Sequence, residues 1–170
     1  MDVTMMDWVI QLCVGLPPEI ASALLASLPV AELRGALPIA LFVFDLSPVT
    51  AYVWTVMGNL IPIPVIYLFL PRLMALTLKH TPRINRRFDT FFDRLMKKYG
   101  NQYSKWGAFF LFLFVAVPLP GTGAWTGALL AVLFRVQKRY AIPFIALGVA
   151  MAGILVLALS LGVFQGMRFL

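Results

Sequence analysis

The first half of the chain alternates short apolar segments with proline breaks. Residues 1–16 end in an apolar piece that is too short to span a membrane, so we expect an interfacial segment there. Residues 17–45 predict two short helices on either side of Pro29, and residues 49–70 predict a full transmembrane helix bent by prolines. This order predicts a re-entrant helical hairpin followed by a span.

The second half repeats this order. Residues 106–135 predict a hairpin interrupted by Pro-Leu-Pro-Gly-Thr-Gly at 118–123, and residues 140–161 predict the last span. Half-helices of about 11 to 14 residues would be roughly 16–21 Å long, shorter than the roughly 30 Å hydrocarbon core. The alternative for each hairpin is a continuous but kinked transmembrane helix. The halves also share short Gly-Ala-Leu segments, which begin at Gly35 and Gly127.

Charge favours one arrangement of these elements. Basic residues lie mainly in residues 71–105 and in the turn at 135–139, and the net charge is +7. If both hairpins are re-entrant, both basic segments lie in the cytoplasm, as the positive-inside rule requires. If the second hairpin instead crossed the membrane once, the turn at 135–139 would face outside. We therefore predict an all-α integral protein of the plasma membrane with two inverted repeats.

The basic segment at residues 71–105 also contains a predicted amphipathic helix. Aromatic and aliphatic residues recur at helical spacing from Phe88 to Tyr99, and Lys and Arg occupy much of the remaining surface. We expect this helix to lie on the cytoplasmic membrane surface or to pack on the protein itself.

Composition supports the membrane class. Hydrophobic residues make up 61% of the chain and charged residues 12%, and the mean hydropathy is +0.89. A soluble domain of this size cannot hide so much apolar surface. Cys13 is the single cysteine and His80 the single histidine, so no metal-ligand spacing and no nucleophile–base arrangement is present. We therefore expect no metal, no cofactor, no enzymatic activity and no nucleic-acid partner.

The two proline breaks supply the candidate binding residues. Inverted repeats with broken helices place their binding site near the midplane of the bilayer, where irregular backbone exposes polar groups. A cation beside half-helix N-termini favours an anionic ligand such as a phosphate or a carboxylate. The predicted substrate-binding residues are Arg34, Pro120, Gly121, Thr122, Gly123, Trp125 and Thr126.

Two carboxylates in the first hairpin are candidates for proton coupling. Glu32 precedes Arg34 by two residues, a spacing that prevents them from facing each other along a regular helix and therefore implies irregular backbone or different partners. A carboxylate removed from water binds a proton more readily. Glu19 is the second candidate. The structural alternatives are a Glu32–Arg34 pair that only stabilises the hairpin, and a Glu19 that only stabilises a helix N-terminus.

Two segments resemble the signature segments of the small multidrug export protein family. They are Ala-Glu-Leu-Arg-Gly-Ala-Leu-Pro at residues 31–38 and Val-Pro-Leu-Pro-Gly-Thr-Gly-Ala-Trp-Thr-Gly-Ala-Leu at residues 117–129. That family is similar in architecture to the DedA, or SNARE-associated (VTT), membrane proteins. This similarity implies two re-entrant hairpins in inverted repeats and, for some members, flipping of polyprenyl phosphate or phospholipid.

Three functions follow as hypotheses. The first is a transporter or flippase, driven by a proton gradient, for an anionic amphipath such as a polyprenyl phosphate or a phospholipid. The second is efflux of cationic drugs, which the family name implies and for which Glu32, Trp54 and Trp125 would form an acidic aromatic cavity. The third is a non-transporting membrane scaffold. Because two hairpins and two spans leave broken helices with few neighbours, we also expect a homodimer surrounded by membrane lipids.

Overall fold

The structure is a computed structural model that describes residues 15–80, 90, 93–94, 97, 106–119 and 121–168. These residues form helices and the turns between them, without any strand, so the all-α class is confirmed. Nearly all of the predicted interfacial segment at residues 1–16 lies outside the described residues, and so does Pro120.

Prolines set several of the helix boundaries. Pro18 and Pro48 stand at the start of a helix, where the missing N–H removes no intrahelical bond. Ser47 caps one of these helices by accepting a hydrogen bond from the N–H of Thr50 at 3.2 Å. In chain order, the helices are α1 (Pro18–Ser27), α2 (Glu32–Phe42), α3 (Pro48–Leu60), α4 (Pro62–His80), α5 (Phe109–Ala116), α6 (Ala124–Leu133) and α7 (Lys138–Arg168).

The chain forms two compact units, and each unit contains one broken hairpin. Unit 1 consists of Met1–Ile61 and Ala150–Leu170, and unit 2 consists of Pro62–Val149. In unit 1, α1 and α2 pack against each other, and both pack against α3. In unit 2, α6 packs against α5 of its own hairpin and against α4. The hairpins therefore lie against long helices, which supply the neighbours that short helices need.

Each hairpin packs closely on the helix that follows it through a glycine. In unit 1, a Cβ atom added to Gly58 of α3 would collide with the backbone of Ala23 in α1. In unit 2, a Cβ atom added to Gly148 of α7 would lie 2.8 Å from the Cβ of Val115 and 2.9 Å from the carbonyl oxygen of Phe112 in α5. Only glycine permits helices to approach this closely.

The turns that end the two hairpins have similar backbones. Asp45 and Arg135 both adopt the left-handed conformation, with φ angles of 52° and 53°. Next to Arg135, the N–H of Val136 donates to the carbonyl of Ala131 at 2.9 Å, and the N–H of Arg135 donates to that of Val132 at 3.0 Å. These two bonds form a Schellman motif, in which the left-handed position usually holds glycine. Each turn is followed three residues later by the next long helix.

Two stretches are long and apolar enough to cross a membrane, and each has 25 residues, Pro48–Arg72 and Lys138–Gly162. They contain the spans predicted at residues 49–70 and 140–161. The arms of the hairpins have 8 to 11 residues. At 1.5 Å per residue they are about 12 to 16 Å long, well short of the hydrocarbon core. The re-entrant course of the hairpins and the inversion of the repeats stay predictions.

Two features refine the sequence prediction. In the first span the regular hydrogen bonding is interrupted at Ile61, because Pro62 has no N–H and the carbonyl of Gly58 accepts instead from the N–H of Ile61 at 3.2 Å, while Ile61 keeps helical backbone angles. The predicted loop at residues 71–105 begins later, because α4 continues through Pro71 to His80. Residues 73–78, Leu-Met-Ala-Leu-Thr-Leu, are mostly strong helix formers that sustain the helix beyond the proline.

The amphipathic helix predicted near residues 88–99 is described at four positions only. Thr90, Asp93, Arg94 and Lys97 are helical and exposed, which fits the polar side of such a helix. The apolar residues of the pattern lie outside the described residues.

Candidate substrate-binding site

An open groove lies between α4 and α6 in unit 2. Its volume is about 340 Å³, within the range of small-molecule pockets, and almost all of the lining atoms are apolar. Phe69 is 60% exposed and Val65 is 42% exposed, so the groove is open to its surroundings. The lining residues are Val65, Ile66, Phe69, Leu70, Trp125, Thr126 and Leu129.

Two of the predicted substrate-binding residues line this groove. Trp125 and Thr126 occupy the first turn of α6, and Leu129 lies one turn further along the same side of the helix. The break at the prolines and glycines before α6 therefore determines the positions of the Trp125 indole and the Thr126 hydroxyl. The structure brings these side chains together with α4, a helix that begins 63 residues earlier in the sequence.

The N-terminus of α6 lies beside the groove. The N-cap residue is Gly123, which has no side chain to cap the helix. The first N–H groups of an α-helix have no acceptor within the helix and carry a partial positive charge. The turn that contributes Trp125 and Thr126 to the groove therefore also carries such N–H groups, which lie outside the apolar lining. An apolar wall beside such donors suits an amphipathic ligand.

The break itself is held together by Thr122. Its hydroxyl donates to the carbonyl of Val117 at 2.7 Å, lies 2.9 Å from the carbonyl of Leu119, and accepts from the N–H of Leu119 at 3.3 Å. Gly121 has a φ of 81°, a conformation that favours glycine. Both residues shape the loop. Their roles as substrate ligands, and that of Pro120 outside the described residues, stay predictions.

The polar residues of the first hairpin lie in unit 1. Glu32 begins α2 with a φ of 47°, so the irregular backbone that the Glu32–Arg34 spacing implies is present. A non-glycine residue in this conformation is strained, at a cost of about 1–3 kcal/mol, and such strain clusters at functional sites. Glu32 and Arg34 are both half-buried, and their opposite charges attract each other. This geometry suits both a functional pair and a purely structural one.

Glu19 lies in the first turn of α1 and is also half-buried. A carboxylate at this position is stabilised by the helix dipole, which is the structural alternative given above. Glu19, Glu32 and Arg34 belong to unit 1, whereas the groove belongs to unit 2. The meeting of the two hairpins in one site therefore stays a prediction.

Sequence reasoning missed Asn59, which lies in the first span at the end of α3. Its side chain is only 3% exposed, and no hydrogen-bond partner for Oδ1 lies within the part of the chain that the structure describes. A buried amide oxygen without a hydrogen bond costs about 1–3 kcal/mol. The sequence feature that could have identified Asn59 is its position as a polar residue in an apolar span, directly after Gly58 and just before Pro62. The groove residues of α4 gave no such signal, because they are ordinary apolar residues.

Comparison with known families decides the class of the protein. A family model described as "Putative small multi-drug export protein" matches residues 32–155, which is most of the chain. The chain belongs to this family. No curated protein and no solved structure matches it. The match runs from Glu32 through the groove into the second span, and it leaves Glu19 outside. Membership in an export family, together with two long apolar helices, makes the chain a membrane protein.

Proposed function

We propose that this member of the small multidrug export family is a transporter for amphipathic substrates, whose apolar part occupies the groove between α4 and α6. The groove is the observation that carries the proposal, because it is open, apolar and large enough for a small molecule or one lipid chain. Trp125 supplies a rigid aromatic wall, and the N-terminus of α6 supplies donors for a polar group.

An anionic amphipath is the first candidate substrate. The donors at the N-terminus of α6 favour a negative group, and Arg34 in the other hairpin adds a half-buried cation. A polyprenyl phosphate or a phospholipid has this chemistry. Glu32 is the proposed proton-coupling residue, because its strained backbone and partial burial mark it among the carboxylates, and Glu19 is the second candidate.

A cationic drug is the second candidate, and two observations favour it. The family description refers to multidrug export. Trp125 lines the groove, where an indole face attracts an organic cation by cation–π interaction. The two candidates differ in the sign of charge that the protein should recognise, so one assay separates them. For either substrate we expect a homodimer in the plasma membrane.

Transport by the purified protein in proteoliposomes tests the proposal. Leu129→Trp should fill the groove and Trp125→Ala should remove its aromatic wall, and each should lower the transport rate about tenfold or more. Trp106→Ala is the matched control, because Trp106 is 51% exposed and lies outside the groove. Its rate should stay within about twofold of the wild type. Unchanged transport by Leu129→Trp would remove the groove from the substrate path.

The same vesicles distinguish the candidate substrates. Movement of a labelled lipid phosphate, abolished in Arg34→Ala, supports the anionic substrate. Movement of cationic dyes alone, blocked in Glu32→Gln, supports drug efflux instead. If neither class moves in vesicles that hold folded protein, the scaffold hypothesis replaces transport.

Orientation is tested separately by cysteine labelling. After Cys13→Ser, the variants Asp45→Cys and Arg139→Cys are exposed to a membrane-impermeant maleimide. We expect Asp45→Cys to react in intact cells and Arg139→Cys to react only after permeabilisation, because the basic turn should lie in the cytoplasm. Labelling of both from one side would contradict the inverted arrangement.

A further inference from the structure

A second cavity lies in unit 2, on the side of α4 that faces away from the groove. Its volume is about 540 Å³, and it lies between the end of the first span and the turn that leaves the second hairpin. Three of its lining residues are cations, Arg72, Arg135 and Lys138. Among the described residues that line it, none is Asp or Glu. The cavity therefore carries a concentrated positive charge that the transport proposal leaves unused.

Backbone structure fixes these cations at the cavity. Arg135 occupies the left-handed position of the Schellman turn, and Lys138 is the first residue of α7. The guanidinium of Arg72 donates through Nη1 to the carbonyl of Leu68 at 2.7 Å, and Leu68 also lines the cavity. This bond uses one of the five N–H donors of the guanidinium. A guanidinium held in this way is well suited to a phosphate group.

The predicted ends of the two spans indicate the depth of the cavity. The sequence predicts that the first span ends at residue 70, two residues before Arg72, and that the last span begins at residue 140, two residues after Lys138. We therefore expect the cations at the level of the lipid headgroups. Beside the cations, Leu68, Val132 and Val136 form an apolar wall of the cavity.

We propose that this cavity binds the phosphate group of an anionic membrane lipid. The cations would bind the phosphate by charge-assisted hydrogen bonds. The apolar wall would contact the glycerol and the first methylene groups, contacts that a free phosphate ion cannot make. The proposal goes beyond transport, because such a lipid would be bound whether or not the protein moves it.

Binding of short-chain lipids to the detergent-purified protein tests this proposal. The probes are dihexanoyl phosphatidylglycerol, the phosphatidylcholine of equal chain length, and inorganic phosphate. Phosphatidylglycerol should bind about tenfold more tightly than phosphatidylcholine, because only the former carries net negative charge. Millimolar inorganic phosphate should fail to displace it. Equal binding of the two lipids would overturn the lipid site. So would displacement of phosphatidylglycerol by inorganic phosphate, if inorganic phosphate bound with an affinity similar to that of the lipid.

Variants show whether the cavity itself is responsible. Arg135→Gly removes a cation from a position that suits glycine, so the fold should tolerate it, and Lys138→Gln removes a second cation. Each should weaken phosphatidylglycerol binding about fivefold. Arg139→Gln is the matched control, because Arg139 lies over the ring of Tyr140 at 4.7 Å and does not line the cavity. An equal loss in Arg139→Gln would show general surface attraction and contradict a defined site.

Discussion

Asp45 and Arg135 occupy equivalent places at the ends of the two hairpins, yet they carry opposite charges. Both residues are left-handed, and in both repeats a glycine 13 residues later packs against the first arm of the hairpin. The backbone features are shared and the charges are not. This difference teaches that turn geometry and close helix packing determine the repeat, whereas charge is available to set its orientation in the membrane.

The repeats differ again one residue after each glycine. In the first span, Asn59 is buried with an unpaired amide oxygen, as far as the described residues show. In the second span the equivalent residue is Val149, which is fully buried and apolar. Unit 1 therefore contains the strained Glu32 and the buried polar Asn59, and unit 2 contains the apolar groove. Substitutions that exchange or remove these features test the comparison.

The largest effect is expected at the two packing glycines. Gly58→Ala places a methyl group against the backbone of Ala23, which cannot move aside without shifting α1. We expect it to destabilise the protein by more than about 3 kcal/mol, which is above the usual range for overpacking. Gly148→Ala meets atoms at 2.8 and 2.9 Å, so a smaller loss of about 1–3 kcal/mol is expected. Denaturant unfolding in detergent measures both.

Gly35→Ala is the control for this pair. The added Cβ would lie 3.6 Å from the Cβ of Ala31, which is ordinary van der Waals contact, and the position is inside α2. Alanine should be neutral there or stabilise the helix by up to about 1 kcal/mol. If Gly58→Ala unfolds no more readily than Gly35→Ala, close packing on α1 does not hold the first repeat together.

The sequence predicted the helices better than it predicted their contacts. Pro29 and the prolines at residues 118–120 predict the breaks because a missing N–H and a fixed φ act locally. The strain at Arg135 and the groove between α4 and α6 were not predicted. The strain at Arg135 depends on the backbone conformation that the surrounding helices impose on the turn. The groove depends on contacts between residues about 60 positions apart in the sequence. Trp125 and Thr126 were identified from their position after the break, whereas Phe69 had no distinguishing feature.

An intermediate effect is expected from exchanging the residues that follow the glycines. Asn59→Val removes a buried amide oxygen that has no hydrogen-bond partner among the described residues, and it should stabilise unit 1 by about 1–3 kcal/mol. Val149→Asn should do the reverse, because it buries a polar group among apolar neighbours. A stabilising Asn59→Val that also slows transport would assign Asn59 to the mechanism. A destabilising Asn59→Val would show that the amide has a partner the repeat depends on.

The smallest effect is expected at the two left-handed turns, and it separates backbone strain from charge. Glycine adopts a positive φ without steric cost, so Arg135→Gly should stabilise the protein by about 1 kcal/mol. Asp45→Gly should gain less, about 0.5 kcal/mol, because aspartate tolerates this conformation better than arginine. For a chain of this size 1 kcal/mol corresponds to about 2–4 °C in Tm, which differential scanning calorimetry in detergent resolves.

The controls are Arg135→Ala and Asp45→Ala, which remove the charge and keep the strain, so neither should raise Tm. A gain in Arg135→Ala equal to that in Arg135→Gly would mean that repulsion from Lys138 and Arg139, rather than backbone strain, limits stability at this turn. The two turns would then be equivalent in geometry only, with the energy of each set by its own charges.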